Sequence, residues 1–224
     1  MRRVLDPFDV DADAVALVAG HPLATLVTPF GDTIHVSHLP LLLSVAPGER
    51  AVVIGHLSRA NPHTEALAAG APSVAVFHGP QGYLSSSWYE GRDMAPTWCY
   101  VAVHTHGRPT LSGDDAHTLR CVRALVEHLE RGRPGEWRIT ELGDAGIAGR
   151  VPRIVGFEIP VTRAEMRWML GEGERPSDLA AAIEHLRAEQ PELVVAIAAA
   201  NGLPLPSDGP PTPGVPAGRA RTTG

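Results

Sequence analysis

The chain has 224 residues, of which 44% are hydrophobic and 20% are charged. This composition is typical of a folded globular protein and excludes a disordered, collagen-like or membrane-spanning chain. No apolar run approaches the ~20 residues of a transmembrane helix, and the N-terminus lacks the apolar core of a signal peptide. We therefore expect a cytoplasmic protein with no membrane partner. The two cysteines, Cys99 and Cys121, are too few for a disulfide framework or a cysteine zinc site.

The charge of the chain argues against a nucleic-acid partner. Twenty-five acidic and 19 basic residues give a formal net charge of −6, and every basic residue is arginine. Non-specific binding to nucleic acids depends on clustered cations that release counterions from the phosphates. These arginines are scattered among acidic residues, so we expect no direct nucleic-acid binding.

The first third of the chain predicts one helix and a series of short strands. Apolar residues that follow an acidic start and precede a glycine predict a helix over 11–20. Apolar segments separated by Gly, Pro and Asp turns predict strands over 23–28, 33–36, 39–45 and 51–57. This spacing favours an antiparallel barrel. A helix start is then expected at Asn61 and Pro62, because Asn caps helices and Pro suits their first turn.

The rest of the domain alternates between strands and helices. Strands are expected over 74–77, 83–88, 97–106 and 154–161, and an amphipathic helix over 114–132. Two further helical segments, separated at Pro191, are expected over 177–201. We therefore predict one domain over 1–202. Residues 203–224 are rich in Pro and Gly and are expected to form a disordered tail.

Four segments carry polar side chains near strand ends or a helix start, and together they predict a cofactor site. These segments are residues 35–40, 55–63, 79–89 and 95–104. In the second, Ser58 and Arg59 lie between a strand and the start of the next helix. Helix N-termini attract anions, so this turn suits a phosphate or a carboxylate. An ion pair between Arg59 and an acidic residue is the alternative.

The histidines and aromatic residues are less specific signals. The chain has 11 histidines, and neutral imidazole is a frequent metal ligand. No His-x-x-x-His pair occurs, so a zinc site with protein ligands alone is not expected. A structural role is favoured for His104 and His106, and core positions for Trp88, Trp98 and Tyr100. No Gly-x-Ser-x-Gly motif supports a hydrolase triad.

Six segments of the chain, in the right order, resemble the PaiB-type proteins, which are described as FMN-binding negative transcriptional regulators. They are residues 21–28, 38–43, 55–62, 87–89, 96–98 and 154–159. The resemblance runs from about residue 7 to residue 190. It implies a split β-barrel related to flavin reductases and pyridoxamine phosphate oxidases, with an α+β fold. It also implies a homodimer that holds its cofactor at the subunit interface.

The chain departs from the flavin-binding pattern of that family in three places. The family's Trp-Asn-Tyr is Trp98-Cys99-Tyr100 here, and the aromatic residue after its Asn-Pro-Gln/His is replaced by Thr64. A basic segment of the family corresponds to residues 166–174, where Met replaces one Lys and acidic residues enter. If this segment holds the phosphate of FMN, these changes predict weaker FMN binding.

Residues 83–89 and 94–98 resemble one branch of the family, the haem-dependent piperazate synthases. This resemblance implies that haem b is the cofactor and that N5-hydroxy-L-ornithine is the substrate. The implied reaction is a dehydrative cyclisation that forms the nitrogen–nitrogen bond of L-piperazic acid in natural-product biosynthesis. The alternatives are a PaiB-type FMN-binding regulator and an FMN-dependent oxidoreductase on the same barrel.

Under the haem hypothesis, His56 is the expected axial ligand because it lies on a strand beside the predicted anion site. The expected cofactor-binding residues are His38, Ser58, Arg59, Asn61, His63, Thr97 and Trp98, with His38 and His63 as alternative iron ligands. A Cys99 thiolate ligand is disfavoured, because an apolar strand raises the pKa of a thiol.

The substrate is expected to bind beside the cofactor. The expected catalytic residues are Arg59, Ser86, Ser87 and Tyr89. Ser85 and Thr97 are expected to help orient the amino-acid end of the substrate, and Arg59 to bind a carboxylate.

Overall fold

A computed structural model describes residues 1–205 of the chain, in which nine strands form one antiparallel sheet. The strands are β1 (Arg2–Leu5), β2 (Leu23–Phe30), β3 (Thr33–Pro40), β4 (Leu42–Ser44), β5 (Val52–Ser58), β6 (Ser73–Leu84), β7 (Thr97–Gly107), β8 (Thr110–Leu111) and β9 (Ile154–Met169). The helices are α1 (Ala12–Gly20), α2 (His63–Ala68), α3 (Asp115–Glu130), α4 (Gly143–Ala148), α5 (Pro176–Leu186) and α6 (Pro191–Asn201).

Strand β9 connects the two halves of the sheet. The strand order is β3-β2-β6-β7-β9-β5-β4, and β1 and β8 also pair with β9. The first half of β9 pairs with β5 and β8, and its second half pairs with β7 and β1. The register with β7 shifts between His106 and Gly107. Such a bulge bends and twists a strand, so β9 can curl from one half of the barrel into the other.

The core lies inside the curled sheet and is closed by helices. Its fully buried side chains include Leu26 of β2, Phe77 of β6, and Phe157 and Met166 of β9. Leu193 and Ile197 of α6 join the same cluster. We call the opposite side of β3, β2, β6, β7 and the second half of β9 the outer face.

Most of the predicted elements are confirmed, because their local signals are strong. Asp11 Oδ1 accepts a hydrogen bond from the Ala14 N–H (3.0 Å) and caps α1. Asp114 caps α3 in the same way through the Ala116 N–H (2.9 Å). The hairpin of β2 and β3 is confirmed in register, and α5 and α6 are separate helices that each begin with a proline.

Two predicted strands differ from the structure. The prediction over 83–88 is wrong beyond Leu84, because the Ser85 hydroxyl accepts the Ser87 N–H (3.2 Å) and turns the chain into a short 3-10 helix. The closing strand predicted over 154–161 continues to Met169. The shift in register near Val161 breaks the apolar alternation by which a strand is recognised, which hid this extension.

The C-terminal part of the described chain ends on the core. The Leu203 N–H donates to the Ala198 carbonyl (3.0 Å), and Leu203 packs against the hydrophobic cluster. From residue 206 onward, the predicted disordered tail lies outside the described residues. No helix within residues 1–205 is both long enough and apolar enough to cross a membrane.

Helix α3 lies directly on β9 at Gly156. A Cβ at this position would stand 2.9 Å from Thr118 Cα and 3.0 Å from Cys121 Sγ. The Gly156 N–H also donates to the Thr118 hydroxyl (3.1 Å). The missing side chain therefore sets the distance between the helix and the strand.

Replacing Gly156 with alanine should lower the free energy of unfolding by about 1–3 kcal/mol, because the backbone of α3 must move to admit the methyl group. Urea denaturation measures this change. Gly113→Ala is the matched control, because a Cβ there meets nothing within 4 Å. That variant should stay within about 0.5 kcal/mol of the wild type. Equal stability of the two variants would contradict the close packing of α3.

Candidate functional site

His56 lies on β5 directly opposite Gly156 of β9. Directly opposite residues of an antiparallel pair project from the same face of a sheet, so the imidazole lies on the side covered by α3. His56 Nδ1 is buried and has no hydrogen-bond partner within residues 1–205. Burial lowers the pKa of His56, so the ring is neutral at pH 7. Neutral imidazole is the form that binds metals.

The turn after β5 is held by a small polar network. Asn61 Oδ1 accepts the His63 N–H (2.9 Å), and Asn61 Nδ2 donates to the Ser37 hydroxyl (3.3 Å). The same hydroxyl lies 2.9 Å from His63 Nδ1. Asn61 and His63 are thus neighbours, as predicted, but their polar atoms connect α2 to β3.

His63 is a buried residue, with 1% of its surface exposed. Its ring stacks on His35 with 5.4 Å between the centroids. Burial, and then the charge of His35, lower the pKa of His63 to about 4. His63 is therefore neutral at pH 7. Its Nε2 has no hydrogen-bond partner in the described part of the chain, which keeps His63 available as an alternative ligand.

The polar groups at the start of α2, where an anion site was predicted, already have partners within the chain. The helix has only six residues, and the His63 N–H already bonds to Asn61. Arg59 Nε donates to the Pro152 carbonyl (3.0 Å), and its Nη2 lies 3.7 Å from the Asp115 carboxylate. The ion pair considered as the alternative for Arg59 is therefore present. The Ser58 hydroxyl accepts the Ala60 N–H (3.2 Å).

His38 is separated from this network by the alternation of β3. Its Nδ1 lies 3.1 Å from the Thr25 hydroxyl across the hairpin. His38 is exposed and projects from the outer face, whereas its neighbour Ser37 projects inward. His38 and His63 thus lie on opposite sides of β3.

The serine segment after β6 contains both exposed and buried hydroxyls. Ser85 and Ser87 hydroxyls lie 2.7 Å apart, and Ser87 is exposed. Ser86 Oγ is buried and has no partner among residues 1–205. Trp88 stacks on His185 of α5 with 5.1 Å between the ring centroids. The segment is therefore held against the C-terminal helices.

Tyr89 belongs to the hydrophobic core and is 2% exposed. Its hydroxyl is buried without a hydrogen-bond partner within the described residues. Burial, followed by the charges of Glu174, Cys99 and Asp178, raises the pKa of Tyr89 to about 12. The hydroxyl therefore stays protonated at pH 7. Tyr89 can donate a hydrogen bond but cannot serve as a base.

Cys99 is completely buried, and burial together with Glu172 and Glu174 raises the pKa of its thiol to about 12. A thiol with this pKa holds its proton at pH 7. The burial of Cys99 thus agrees with the argument against a thiolate ligand.

Thr97 and Trp98 lie at the start of β7. The Thr97 hydroxyl donates to Met169 Sδ (3.4 Å), and the Trp98 indole N–H donates to Gln81 Oε1 (3.3 Å). Trp98 is 53% exposed, so its expected core position is wrong. The indole offers a flat apolar surface on the outer face.

The predicted site residues form two sets within one chain. His56, Ser58, Arg59, Asn61 and His63 lie near the first residues of β9, where Gly156 pairs with His56. Ser85, Ser86, Ser87, Tyr89, Thr97 and Trp98 lie near the last, where Met169 pairs with Tyr100. The two sets are thus at opposite ends of a 16-residue strand.

A family model described as "Putative FMN-binding domain" matches residues 7–163. The chain belongs to this FMN-binding family. A relative from Bacillus subtilis, named "Protease synthase and sporulation protein PAI 2", is 28% identical over 173 residues. The alignment covers 77% of this chain and 82% of that protein. The PaiB-type resemblance is therefore confirmed at the level of the family.

Two solved structures confirm the split-barrel fold of this PaiB-type protein. The FAD and haem binding protein of Mycobacterium smegmatis has a TM-score of 0.51 at 19% identity, with 75% of each chain covered. Flavocytochrome Anf3 of Azotobacter vinelandii has a TM-score of 0.52 at 18% identity. That match covers 80% of this chain and 74% of the other. The predicted α+β split barrel is thus confirmed.

A charge cluster on the outer face of this PaiB-type chain was not predicted. Glu165 of β9 is 1% exposed and accepts hydrogen bonds from Arg2, Arg163 (3.1 Å) and Arg167 (2.7 and 3.0 Å). His104 Nδ1 lies 3.7 Å from the same carboxylate. The alternation Arg163-x-Glu165-x-Arg167 places these side chains on one face of a strand. This signal becomes visible only once β9 is extended to Met169.

The Glu165 carboxylate should stabilise the fold above about pH 4.5. Burial acts to raise its pKa, but the hydrogen bonds from Arg167, Arg2 and Arg163 outweigh burial and lower the pKa to about 2. Glu165→Gln should lower the free energy of unfolding by about 1–3 kcal/mol at pH 7, because it removes the charged acceptor from three half-exposed arginines.

Urea denaturation as a function of pH tests this prediction. A carboxyl with a depressed pKa contributes its full stability above its unfolded value and loses it as the pH falls through the folded value. The gap between wild type and Glu165→Gln should therefore be constant above pH 4.5 and close towards pH 2. A gap that does not depend on pH would show that Glu165 acts through packing alone.

Proposed function

We propose that two copies of this chain form a homodimer that binds haem b through His56 and cyclises N5-hydroxy-L-ornithine to L-piperazic acid. The observation that carries the proposal is the protonation and hydrogen bonding of His56. Its ring is neutral, and its buried Nδ1 has no hydrogen-bond partner within residues 1–205. Histidines in folded proteins rarely lack partners at a buried nitrogen, so this ring fits an iron ligand.

The arginines near the site favour haem over FMN. Phosphate recognition uses cationic side chains that are free to form charge-assisted hydrogen bonds. Arg59 contacts Pro152 and Asp115, and Arg167 is bound to Glu165. His56 would hold a haem iron through a neutral nitrogen, while the haem carboxylates would still need polar partners such as Ser58 or Asn61.

The fold is compatible with a bound haem. The similar protein from Mycobacterium smegmatis is a FAD and haem binding protein, and the one from Azotobacter vinelandii is a flavocytochrome. The partly closed barrel therefore occurs together with haem in related folds. The two names support both haem and flavin as ligand classes for the present chain.

The reaction consumes no external electrons. The α-amine of the substrate forms a bond to the hydroxylated nitrogen, the N–O bond breaks, and the oxygen leaves as water with the proton given up by the amine. A bound iron would supply a Lewis acid for the N–O bond. The chain must supply a binding site that folds the substrate and keeps its amine unprotonated.

The described residues can meet part of this requirement. Tyr89 and Ser86 have buried hydroxyls without partners, and the raised pKa of Tyr89 keeps it a donor for a carboxylate or an oxygen. His63 stays neutral at pH 7, and its pKa of about 4 makes it a hydrogen-bond acceptor rather than a base for the substrate amine. Arg59 would have to leave Asp115 in order to bind the substrate carboxylate. Its 40% exposed side chain leaves room for such a change.

The homodimer is needed because the two sets of site residues lie at opposite ends of β9. The outer face also exposes large apolar side chains, which include Leu23 (65%), Ile34 (67%), Val36 (54%) and Trp98 (53%). Large exposed apolar side chains on one face mark a candidate interaction surface. A second copy seated on this face would cover these residues and could bring Trp98 towards the partner's cofactor.

The absorption spectrum tests the cofactor. Protein reconstituted with hemin should show a sharp Soret band that His56→Ala abolishes or shifts, because the axial nitrogen is lost. His38→Ala and His63→Ala are the comparison variants and should keep the wild-type spectrum. An unchanged spectrum in His56→Ala would assign the ligand to one of these two residues. A protein that retains FMN and ignores hemin would overturn the haem proposal.

Subunit mixing tests the shared site. His56→Ala and Trp98→Ala should each form little L-piperazic acid, measured by mass spectrometry. Random pairing after co-expression puts one intact site on each mixed dimer, so about a quarter of the wild-type activity should return. His56→Ala mixed with Arg59→Ala should recover nothing, because both residues belong to the same set. Failure of the first mixture to recover would contradict a site built from two chains.

FMN binding is the second candidate, because the family model covers residues 7–163. The exposed indole of Trp98 offers a surface for an isoalloxazine ring. In this case the chain would be a flavin-dependent oxidoreductase or a PaiB-type regulator. The same reconstitution distinguishes the candidates, since FMN gives a yellow protein with two broad bands.

A further inference from the structure

Three side chains that bind transition metals converge where α3 meets β9. His117 and Cys121 lie one helical turn apart on α3, and Glu158 lies on the facing strand. One ligand atom of each lies within 4.8 Å of the other two. None of them belongs to the two sets of site residues. The lack of a His-x-x-x-His pair argued against a zinc site, but His117 and Cys121 have the same i, i+4 spacing.

The distance between the first two ligand atoms fits a tetrahedral zinc ion. His117 Nε2 lies 3.5 Å from Cys121 Sγ. With Zn–N of about 2.0 Å and Zn–S of about 2.3 Å, two ligands at the tetrahedral angle stand about 3.5 Å apart. The pair can therefore accept the ion with no movement of the helix.

The third ligand lies on the solvent side of this pair. One Glu158 carboxylate oxygen lies within 4.8 Å of the ligand atoms of His117 and Cys121, and the Glu158 side chain is 42% exposed. The His117 side chain is 13% exposed, and Cys121 is 3% exposed. A nitrogen, a sulfur and an oxygen ligand are a set that zinc accepts, and the exposed side leaves a fourth position for water.

We propose that His117, Cys121 and Glu158 bind one zinc ion that ties α3 to β9. On binding, the Cys121 thiol loses its proton to solvent, so a thiolate and a carboxylate balance the charge of the ion. No electron is transferred. The three ligands do not include His56, which lies on the neighbouring strand opposite Gly156, and the ion adds a metal link where Gly156 already brings helix and strand together.

Zinc content and cobalt substitution test the site in the full-length protein. After dialysis against micromolar ZnCl2, mass spectrometry should find one more equivalent of bound zinc in the wild type than in Cys121→Ala. Zinc should also raise the melting temperature of the wild type by roughly 5 °C, as expected for a ligand well above its Kd. Replacement with Co2+ should produce a thiolate-to-cobalt absorption band, seen as a difference spectrum.

Cys99→Ala is the matched control, because Cys99 is the other buried thiol of the chain. This variant should keep the band and the bound equivalent, while Cys121→Ala and His117→Ala lose both. Glu158→Gln should weaken zinc at least tenfold without abolishing the cobalt band. His56→Ala should bind zinc like the wild type, which separates this result from the fate of the haem proposal. Equal amounts of bound zinc in the wild type and Cys121→Ala would overturn the proposed site. A cobalt absorption band that is lost in Cys99→Ala would also overturn it.

Discussion

The change of partners along β9 is the constraint on which the rest of the molecule depends. Its first half pairs with β5 and its second half with β7, and the register shifts where the strand passes between them. The buried positions shift with it, from Phe157 and Val161 to Ala164 and Met166. One strand thus supplies the core to both halves of the barrel. It also fixes Gly156 beneath α3 and Glu165 on the outer face.

The length of β9 also explains why the two sets of candidate site residues lie apart in the folded chain. A strand of 16 residues holds its two ends apart by tens of ångströms unless it folds back. The barrel curls β9 but keeps the His56 set and the Trp98 set at its two ends. The proposed homodimer would join each set to the opposite set of a second copy.

Local sequence signals predicted local structure, and non-local contacts decided the rest. The caps at Asp11 and Asp114 are visible in the sequence because each acts within three residues. The length of β9 was hidden, because a bulge breaks the alternation and only pairing with β7 reveals it. The family resemblance identified candidate residues, but it could not place them. That Arg59 meets Asp115, 56 positions later, depends on where α3 packs.

The choice between haem and FMN depends on whether the arginines near the site are already paired with carboxylates. Arg167 lies in the segment that corresponds to the family's basic segment, and the Glu165 carboxylate takes two of its hydrogen bonds. A phosphate could gain Arg167 only by leaving a 1% exposed carboxylate with fewer donors, and an underpaired buried charge is costly. His56 faces no such competition, because its buried nitrogen has no partner within residues 1–205 to lose. A phosphate that reaches Arg167 therefore competes with Glu165, whereas a ligand at the buried His56 nitrogen displaces no contact within residues 1–205.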